Sequence, residues 1–414
     1  MQMVDPGGLD RMMMAMEALG ATPEGGVHRL AASPADGAAR DLLCGWMQGL
    51  GMQVCVDRVG NMAGLLDLAG PGAPVVMAGS HLDSQPQGGR FDGAVGVVAA
   101  CAAARDVQDQ VRTGALRARC NLAVANWTGE EGARFQPSLL GSGAYAGTLG
   151  LDWALARTDG EGVSLGTALQ AIGYAGSAAL PRPAAYVELH IECGRVLDDA
   201  GARLGVFTRY WGASKQRVTF VGEAAHTGPT PMAQRRDALL GAARLALALR
   251  DMADRAPGLL HSSAGRIEVR PNSPNVVPAE AAMFIELRSP GPDVLAWAEA
   301  ELARQTALAG EASGLRWHAG PVERRPAGAF DPRLAALVGQ EAAALGQTVQ
   351  LLDTVAGHDA VSLAGVCPSV MLVVPSVGGV CHNPAEFTRA EDVALGSALL
   401  TRTLARLCRD GVPA

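Results

Sequence analysis

The stretch from Gly79 to Asp92 carries residue types that could bind metal ions. The apolar segment 74–79 predicts a buried strand, and His81 and Asp83 follow it directly. Asp92 lies in a glycine-rich loop just before a predicted helix, where its carboxylate could bridge two cations. Asp83 could accept the second N–H of the His81 ring and so orient the imidazole. Together these residues indicate a metal site rather than unrelated loop side chains.

Three other apolar strands also end in residues suited to metal or proton chemistry. Glu130 and Glu131 follow one strand, and either could bind a metal while the other holds a bound water and takes its proton. His190 ends a second strand, and His382 follows the third. The three predicted strands are 120–127, 184–190 and 370–374.

The type of donor limits the choice of metal. Histidine and carboxylate ligands without thiolates are typical of zinc, manganese, cobalt or nickel. Two cations that share a carboxylate would lie about 3.5–4 Å apart. Cys193 and Cys381 adjoin ligand candidates, so a site with soft thiolate donors remains an alternative.

These residues can meet only if the strands lie side by side. In the first half of the chain, strands alternate with helical stretches such as 93–104, which predicts an α/β fold with a mostly parallel central sheet. Ligands bind such sheets beyond the carboxyl ends of the strands. The candidate residues all follow strand ends, so we expect them to converge there.

The pattern changes at about residue 212. Four predicted strands and two helices follow in the order expected of a ferredoxin-like α+β domain. The strands are 216–222, 264–270, 281–288 and 315–319, and the helices are 235–252 and 292–309. Helices 331–345 and 390–409 and strands 349–353 and 370–374 then resume the first pattern. We therefore expect a discontinuous domain, 1–211 with 327–414, interrupted by a second domain, 212–326.

Composition excludes several classes of protein. The 414 residues suffice for two domains, and 49% hydrophobic with 18% charged residues indicates a well-cored globular protein. A formal net charge of −7 argues against a general nucleic-acid binder. Since no apolar run reaches about 20 residues and residues 1–20 do not follow a signal-peptide pattern, we expect no membrane partner. Eight scattered cysteines without a CxxC pair favour reduced thiols in the cytoplasm.

The motifs resemble those of the metallopeptidase M20 superfamily, and within it the amidase/hydantoinase/carbamoylase family. That family includes N-carbamoyl-L-amino acid hydrolases, allantoate amidohydrolases and β-ureidopropionases. The resemblance covers essentially the whole chain, and the motifs occur in the family's order. They are GSHLDS, GGRFDG, EEGARF, ELHIE, GEAAHTGPTPM, RPNSPNVVP, AGHDA and GGVCHNPAE. The resemblance implies a Zn-peptidase-like catalytic domain interrupted by a lid and dimerisation domain.

The resemblance also implies a division of the ligands between two divalent metal ions per subunit. His81 and His190 would hold one ion, and Glu131 and His382 the other. Asp92 would bridge the two ions, and Glu130 would be the general base.

For the lid, the resemblance implies substrate contacts and a homodimer. His226 would polarise the substrate carbonyl in the partner's site, while Asn275 and Arg288 would grip the substrate's carboxylate. Gly357, in the AGHDA motif, would also contact the substrate. Strand 216–222 and the helix after Met232 resemble the family's dimerisation surface.

The sequence departs from the family at positions that concern the substrate. Cys193 stands where the family usually has a glutamine that contacts substrate, and this loses a two-sided hydrogen-bonding group. Ala213 replaces a frequent glutamine, and Thr354-Val355 replaces a common Ser-Gly. None of these positions is a candidate metal ligand.

Two classes of function fit these residues. The leading hypothesis is a metal-dependent amidohydrolase acting on an N-carbamoyl amino acid, with allantoate or another ureido acid as the nearest alternative. A dipeptidase or N-acyl amino acid deacylase is a weaker alternative. A non-catalytic metal-binding or scaffold protein is the competitor from another class. Glu130 discriminates between the two classes, because a pseudoenzyme commonly loses the base.

Overall fold

The computed structural model describes residues 6–413. Its α-helices are α1 (Pro6–Glu17), α2 (Pro34–Gly49), α3 (Ala94–Arg112), α4 (Leu140–Tyr145), α5 (Leu151–Leu155), α6 (Leu165–Ala171), α7 (Val196–Ala200), α8 (Ala238–Asp254), α9 (Pro292–Ser313), α10 (Pro332–Ala343), α11 (Asp359–Leu363) and α12 (Ala390–Asp410). Short 3₁₀ turns lie at Met232–Gln234 and Val377–Gly379.

The strands fall into three sheets. They are β1 (Gln53–Val56), β2 (Met62–Leu66), β3 (Val75–His81), β4 (Asn121–Trp127), β5 (Pro183–Ile191), β6 (Gly205–Tyr210), β7 (Gly212–Val221), β8 (Ala225–His226), β9 (His261–Arg270), β10 (Val276–Val277), β11 (Glu280–Ser289), β12 (Arg316–Ala319), β13 (Glu323–Arg325), β14 (Gly328–Ala329), β15 (Gln350–Thr354) and β16 (Ser369–Val374).

The chain divides into two compact units. The first runs to Thr208 and resumes at Ala329, and the second is Arg209–Gly328. The boundaries expected from sequence, at 212 and 326, lie within three residues of these positions. Within residues 6–413, no helix is both long and apolar enough to cross a lipid bilayer.

The first unit is built on a large sheet with a parallel centre. Its order is β1-β2-β4-β3-β5-β16-β6-β14, with β15 beside β6. The four central strands, β4, β3, β5 and β16, are parallel, whereas β2 and β6 flank them in antiparallel orientation. The α/β class and the parallel core expected from sequence are confirmed, but the antiparallel strands β1, β2 and β6 were not predicted.

Small residues explain how the central helices approach this sheet. Helix α3 carries a run of alanine, valine and glycine that is buried almost throughout, and it packs with α12 against the central strands. Gly96 of α3 lies so close to β5 that an added Cβ would be 2.3 Å from the carbonyl oxygen of Leu189. The close packing brings the start of α3, and Asp92 before it, to the strand ends.

The second unit has the strand order β12-β7-β11-β9, all antiparallel. With α8 and α9 between the strands in sequence, this is the ferredoxin-like order that the sequence predicts. The two helices and the sheet share one apolar core. Helix α8 begins at Ala238, after the expected start at 235, because the Asp237 carboxylate caps it by accepting from the amides of Leu239 and Leu240.

Candidate metal centre

The carboxyl ends of the four parallel strands carry the candidate ligands of the first unit. His81 is the last residue of β3 and lies opposite Trp127, the last residue of β4. His190 on β5 lies opposite Val373 on β16. Because parallel strands end at one edge of the sheet, the loops after β4 and β16 bring Glu130, Glu131 and His382 to the same place.

Asp92 lies between two groups of ligand atoms. Its Oδ1 is 3.2 Å from Nε2 of His190 and 3.9 Å from Nε2 of His81. Its Oδ2 is 3.1 Å from Nε2 of His382. The two carboxylate oxygens therefore face different histidines, which is the arrangement of a carboxylate that bridges two cations.

Glu130 and Glu131 are adjacent in sequence but approach different histidines of this cluster. Glu131 Oε2 is 3.1 Å from Nε2 of His382, and Gln85 donates to both carboxylate oxygens of Glu131 from its amide N–H and its side chain. Glu130 is buried, with Oε2 3.7 Å from Nε2 of His81. The geometry thus separates two side chains that the sequence pattern leaves interchangeable.

The histidine rings are oriented by main-chain carbonyls. His81 Nδ1 is 2.8 Å from the carbonyl oxygen of Asp83, and His190 Nδ1 is 2.9 Å from that of Ile191. Since each carbonyl can only accept, both Nδ1 atoms carry a proton, which leaves the two Nε2 atoms as the positions that could bind a cation. The buried Nε2 of His190 has no hydrogen-bond partner among the described residues. These donor atoms fit a pair of cations.

The Asp83 carboxylate has a different contact from the one expected. It lies 3.9 Å from Nδ1 of His81, farther away than the main-chain carbonyl of Asp83 itself. Its oxygens instead accept from the amides of Gly129, Glu130 and Glu131, at 3.1–3.3 Å. Asp83 therefore orients His81 through its backbone and the two-glutamate loop through its side chain.

Burial and hydrogen bonds shift the pKa values of these groups from their usual ranges. Burial opposes the charge of Asp92, but the hydrogen bond from His382 holds the pKa of this carboxyl below its usual range. Burial likewise opposes the charge of His382, yet hydrogen bonds to Asp92 and Glu131 raise its pKa to about 12. Burial raises the pKa of Glu130 well above its usual value, and Asp359 and Glu131 add to this. Cations bound among these carboxylates would displace such protons.

A buried carboxylate missed in the sequence holds the Asp92 loop. Glu386 Oε1 accepts from the amides of Phe91 and Asp92, at 2.9 and 3.1 Å. Gly89 passes so close that an added Cβ would lie 1.8 Å from the Glu386 carboxylate carbon. Gly93 has a φ of 65°, and its Cβ would meet the His81 ring at 2.4 Å. The HNPAE motif contained the signal, but a glutamate in a loop usually faces solvent.

A second group missed in the sequence lies behind His190. Glu188 accepts from Ser80 Oγ at 2.8 Å and from the amide of Ala360 at 2.7 Å. The His358 ring packs edge-on against the His190 ring, with centroids 4.6 Å apart. Gly357, the expected substrate contact, lies in the loop between β15 and α11 that also carries His358. Packing against His358 therefore restricts the orientation of the His190 ring, which is a candidate ligand.

Two cysteines lie at the edge of the cluster. Cys381 Sγ is 3.1 Å from Asp92 Oδ2 and 2.7 Å from Cys193 Sγ. Cys193 and His382 both have left-handed backbones, with φ of 55° and 54°. Such conformations are costly for residues other than glycine and occur often at functional sites.

The remaining candidates lie in the second unit. The ribbon of β8 and β10 pairs His226 with Val276, and the carbonyl of Asn275 accepts from the amide of Thr227 at 3.2 Å. His226 and Asn275 are thus neighbours. Arg288 lies on β11, where its guanidinium is 3.0 Å from the carboxylate of Glu286.

Comparisons with known proteins agree with this geometry. Residues 77–406 match the family described as Peptidase family M20/M25/M40. A Mycolicibacterium smegmatis protein named only as a hydrolase is 45% identical, over 95% of this chain and 91% of its own length. An N-carbamoyl-L-amino-acid amidohydrolase from Rhizobium meliloti is 36% identical, over 94% and 93%.

The architecture agrees as well. The crystal structure of an amidase of the hydantoinase/carbamoylase family from Burkholderia vietnamiensis has a TM-score of 0.95 and 36% identity, and the match covers 99% of both chains. The chain therefore belongs to peptidase family M20/M25/M40 and is a hydrolase of its hydantoinase/carbamoylase amidase branch.

Proposed function

We propose that this protein is a metal-dependent amidohydrolase that cleaves a C–N bond in a small N-carbamoyl or ureido amino acid. The observation that carries the proposal is the division of ligand atoms about Asp92, with the buried carboxylate of Glu130 beside them. The amidohydrolase name of the Rhizobium meliloti relative supports the choice of substrate class.

The site would hold two divalent cations of the zinc, manganese, cobalt or nickel type. His81 and His190 would hold one, Glu131 and His382 the other, and Asp92 would lie between them. When bound, such cations activate water and polarise a carbonyl group. Asp83 and Glu386 would keep the ligand loops in place through the backbone amides that they accept from.

Glu130 is suited to proton transfer in this reaction. Its carboxylate would accept a proton from the attacking water and return it to the leaving nitrogen. Because burial and neighbouring carboxylates raise its pKa, Glu130 has more affinity for a proton than an exposed glutamate has. A carboxylate whose pKa lies near the operating pH is a better general base than an ordinary glutamate.

His226 is suited to donate a hydrogen bond to the substrate carbonyl. Its Nδ1 accepts from the amide of Gly228 at 3.1 Å. The neutral ring therefore carries its proton on Nε2, and His226 is exposed. Asn275, its neighbour across the ribbon, would bind the polar end of a substrate. Cys193 and Gly357 are proposed as further substrate contacts of the first unit.

Arg288 would bind the substrate carboxylate. Its guanidinium is paired with Glu286, which also lies 3.6 Å from the ammonium of Lys215. A substrate carboxylate would bind Arg288 beside Lys215, in a group of side chains with net positive charge. Glu286 would hold the guanidinium in one orientation for this contact.

Replacing Arg288 by alanine should raise KM about ten- to hundredfold and leave the metal content unchanged, because a hydrogen bond between charged groups contributes about 1.5–3 kcal/mol. Steady-state kinetics and metal analysis of the purified variant would measure this. Arg324→Ala is the matched control, since Arg324 lies on another strand of the same unit, β13, and is also paired with a glutamate, Glu299. Equal effects of the two substitutions on KM would contradict the assignment of Arg288 to the substrate site.

We also propose a homodimer formed through the second unit. Helix α8 and the turn before it expose apolar side chains, namely Met232, Leu239, Leu240 and Leu247. Strand β9 is a free edge of the sheet, whereas β7 is paired on both sides. Strand 216–222, which forms most of β7, therefore cannot extend a partner's sheet, so α8 and β9 are the stronger candidates for the interface.

If His226 acts in the partner's site, two inactive variants should complement each other. Mixing Glu130→Gln subunits with His226→Ala subunits should restore activity up to about a quarter of the native value, since half of randomly paired dimers are mixed and each has one intact site. Subunit exchange must be verified by differently tagged chains. Mixed dimers that stay inactive, or a fully active monomer, would rule out this arrangement.

A panel of ureido acids tests the proposed function directly. With the metal-loaded protein, ammonia release should be measured on N-carbamoyl amino acids and allantoate, and release of the free amino acid on N-acyl amino acids and dipeptides. Turnover of either ureido class that is lost in Glu130→Gln supports the proposal. Turnover of dipeptides or N-acyl amino acids alone would show that the protein has a different hydrolytic activity. A correctly folded, metal-loaded protein without any turnover would favour a binding or scaffold role.

The free cysteines support a proposal for the cellular location of the protein. All eight lie within residues 6–413 and are free thiols. We propose a cytoplasmic location on this ground, because that compartment keeps thiols reduced.

A further inference from the structure

Cys193 and Cys381 meet at the metal centre although 188 positions separate them in the chain. Cys193 follows β5, three residues after His190, and Cys381 directly precedes His382. Their sulfur atoms are 2.7 Å apart, and both thiols are free. Each cysteine thus lies within three residues of a candidate ligand, and these two ligands face different oxygens of Asp92.

Neither cysteine is fully buried, and the neighbouring His382 side chain is 52% exposed. Buried structural cysteines are inert, whereas accessible thiols with a second thiol in reach oxidise to disulfides. Of the remaining cysteines, Cys101, Cys120, Cys367 and Cys408 are buried. Cys44 and Cys55 are partly buried and lie on α2 and β1, away from the strand ends.

We propose that Cys193 and Cys381 are a site of reversible oxidation, at which a peroxide converts the two thiols into a disulfide bond across the metal centre. One sulfur attacks the peroxide, the O–O bond breaks, and a sulfenic acid and one water result. The second sulfur then displaces the hydroxyl group as another water and forms the S–S bond. Two electrons pass from the two thiols to one peroxide, and a dithiol reductant reverses the change.

The bond would alter the site in two ways. Cys381 would lose the S–H that it donates to Asp92 Oδ2, which changes the surroundings of the carboxylate that faces both groups of ligands. Cys193, which stands at the expected substrate contact, would be drawn toward Cys381. Oxidation should therefore lower hydrolysis and weaken metal retention. The effect on hydrolysis rests on the proposed function, whereas the disulfide bond itself does not.

The test uses the metal-loaded full-length protein treated with increasing hydrogen peroxide. Non-reducing peptide mapping should find Cys193 joined to Cys381, with the loss of two thiols per chain. The tryptic peptide 334–389 contains Cys367 as well as Cys381, so fragment ions must assign the bond. Hydrolysis should fall at least tenfold and recover with dithiothreitol, and metal analysis should show greater loss on dialysis of the oxidised form.

Variants separate this bond from general oxidation. Cys193→Ser and Cys381→Ser, each alone, should abolish the cross-link, while Cys44→Ser and Cys55→Ser should retain it. Thiols that stay unmodified, or that go singly to sulfinic acids, would overturn the proposal. An equal loss of hydrolysis in the serine variants under peroxide would also overturn it. If no substrate is turned over but the cross-link forms, the proposed function fails and the oxidation site stands.

Discussion

Replacing Glu130 by glutamine should lower kcat by about 10²–10⁴-fold, the usual contribution of a general base, and leave the metal content unchanged. The amide cannot accept the proton of the attacking water, yet it has nearly the same shape as the carboxylate. Glu130 lies on the His81 side of the cluster without a contact as close as that of Glu131 to His382. Single-turnover kinetics and metal analysis of the same preparation would measure both properties.

Glu131 supplies the matched control, because it is the adjacent residue and the substitution is chemically identical. Glu131→Gln should lose metal, since its carboxylate lies 3.1 Å from Nε2 of His382 and Gln85 holds it in place. Activity should then recover in part at high metal concentration, which Glu130→Gln should not do. If Glu130→Gln retains most of its activity, or if the two variants lose metal equally, the assignment of the base is wrong.

Removing the metal ions should abolish hydrolysis, and adding manganese, zinc, cobalt or nickel should restore it. The physical reason is that histidine nitrogens and carboxylate oxygens of the cluster lie close enough to bind the same cations. The two carboxylate oxygens of Asp92 lie 3.2 Å from Nε2 of His190 and 3.1 Å from Nε2 of His382, and the hydrogen bond between Asp92 and His382 holds a proton that a cation would displace. Binding should therefore release protons, which titration calorimetry in buffers of different ionisation enthalpy can count.

Asp92→Asn provides the corresponding variant. An amide has one oxygen instead of two, so it cannot face both groups of ligand atoms as a bridging carboxylate does. We expect at most one cation to bind and activity to fall by several orders of magnitude. Asp109→Asn is a suitable control, because Asp109 is exposed and lies in the same unit, near the end of α3 that is opposite to Asp92. Full activity in a verified metal-free preparation would contradict the metal requirement.

Much of the fold follows from local patterns in the sequence. The apolar segments before His81, Glu130, His190 and His382 predict strands, and each is a strand of the parallel centre. The ferredoxin-like order of the second unit is also read from alternating strands and helices. The antiparallel strands β1, β2 and β6 were missed, because segments of four to six residues are too short to show a clear hydrophobic period.

The convergence of the ligand candidates was likewise predictable from sequence. It needs only the rule that parallel strands end at one edge, together with residue types that bind metals. No arrangement of side chains has to be known for that step. The residues named from the sequence, His81, Asp92, Glu131, His190 and His382, do come together at that edge.

Only the tertiary structure shows which contacts each side chain of the cluster makes. Sequence spacing leaves Glu130 and Glu131 interchangeable, and it suggests that the Asp83 carboxylate contacts His81, whereas the folded chain directs that carboxylate to the glutamate loop. Glu386 and the pair Cys193 and Cys381 act across about 190 to 300 positions of the chain. Contacts of this kind depend on how loops from different strands pack, so a local pattern such as the HNPAE motif marks Glu386 but does not specify its partners.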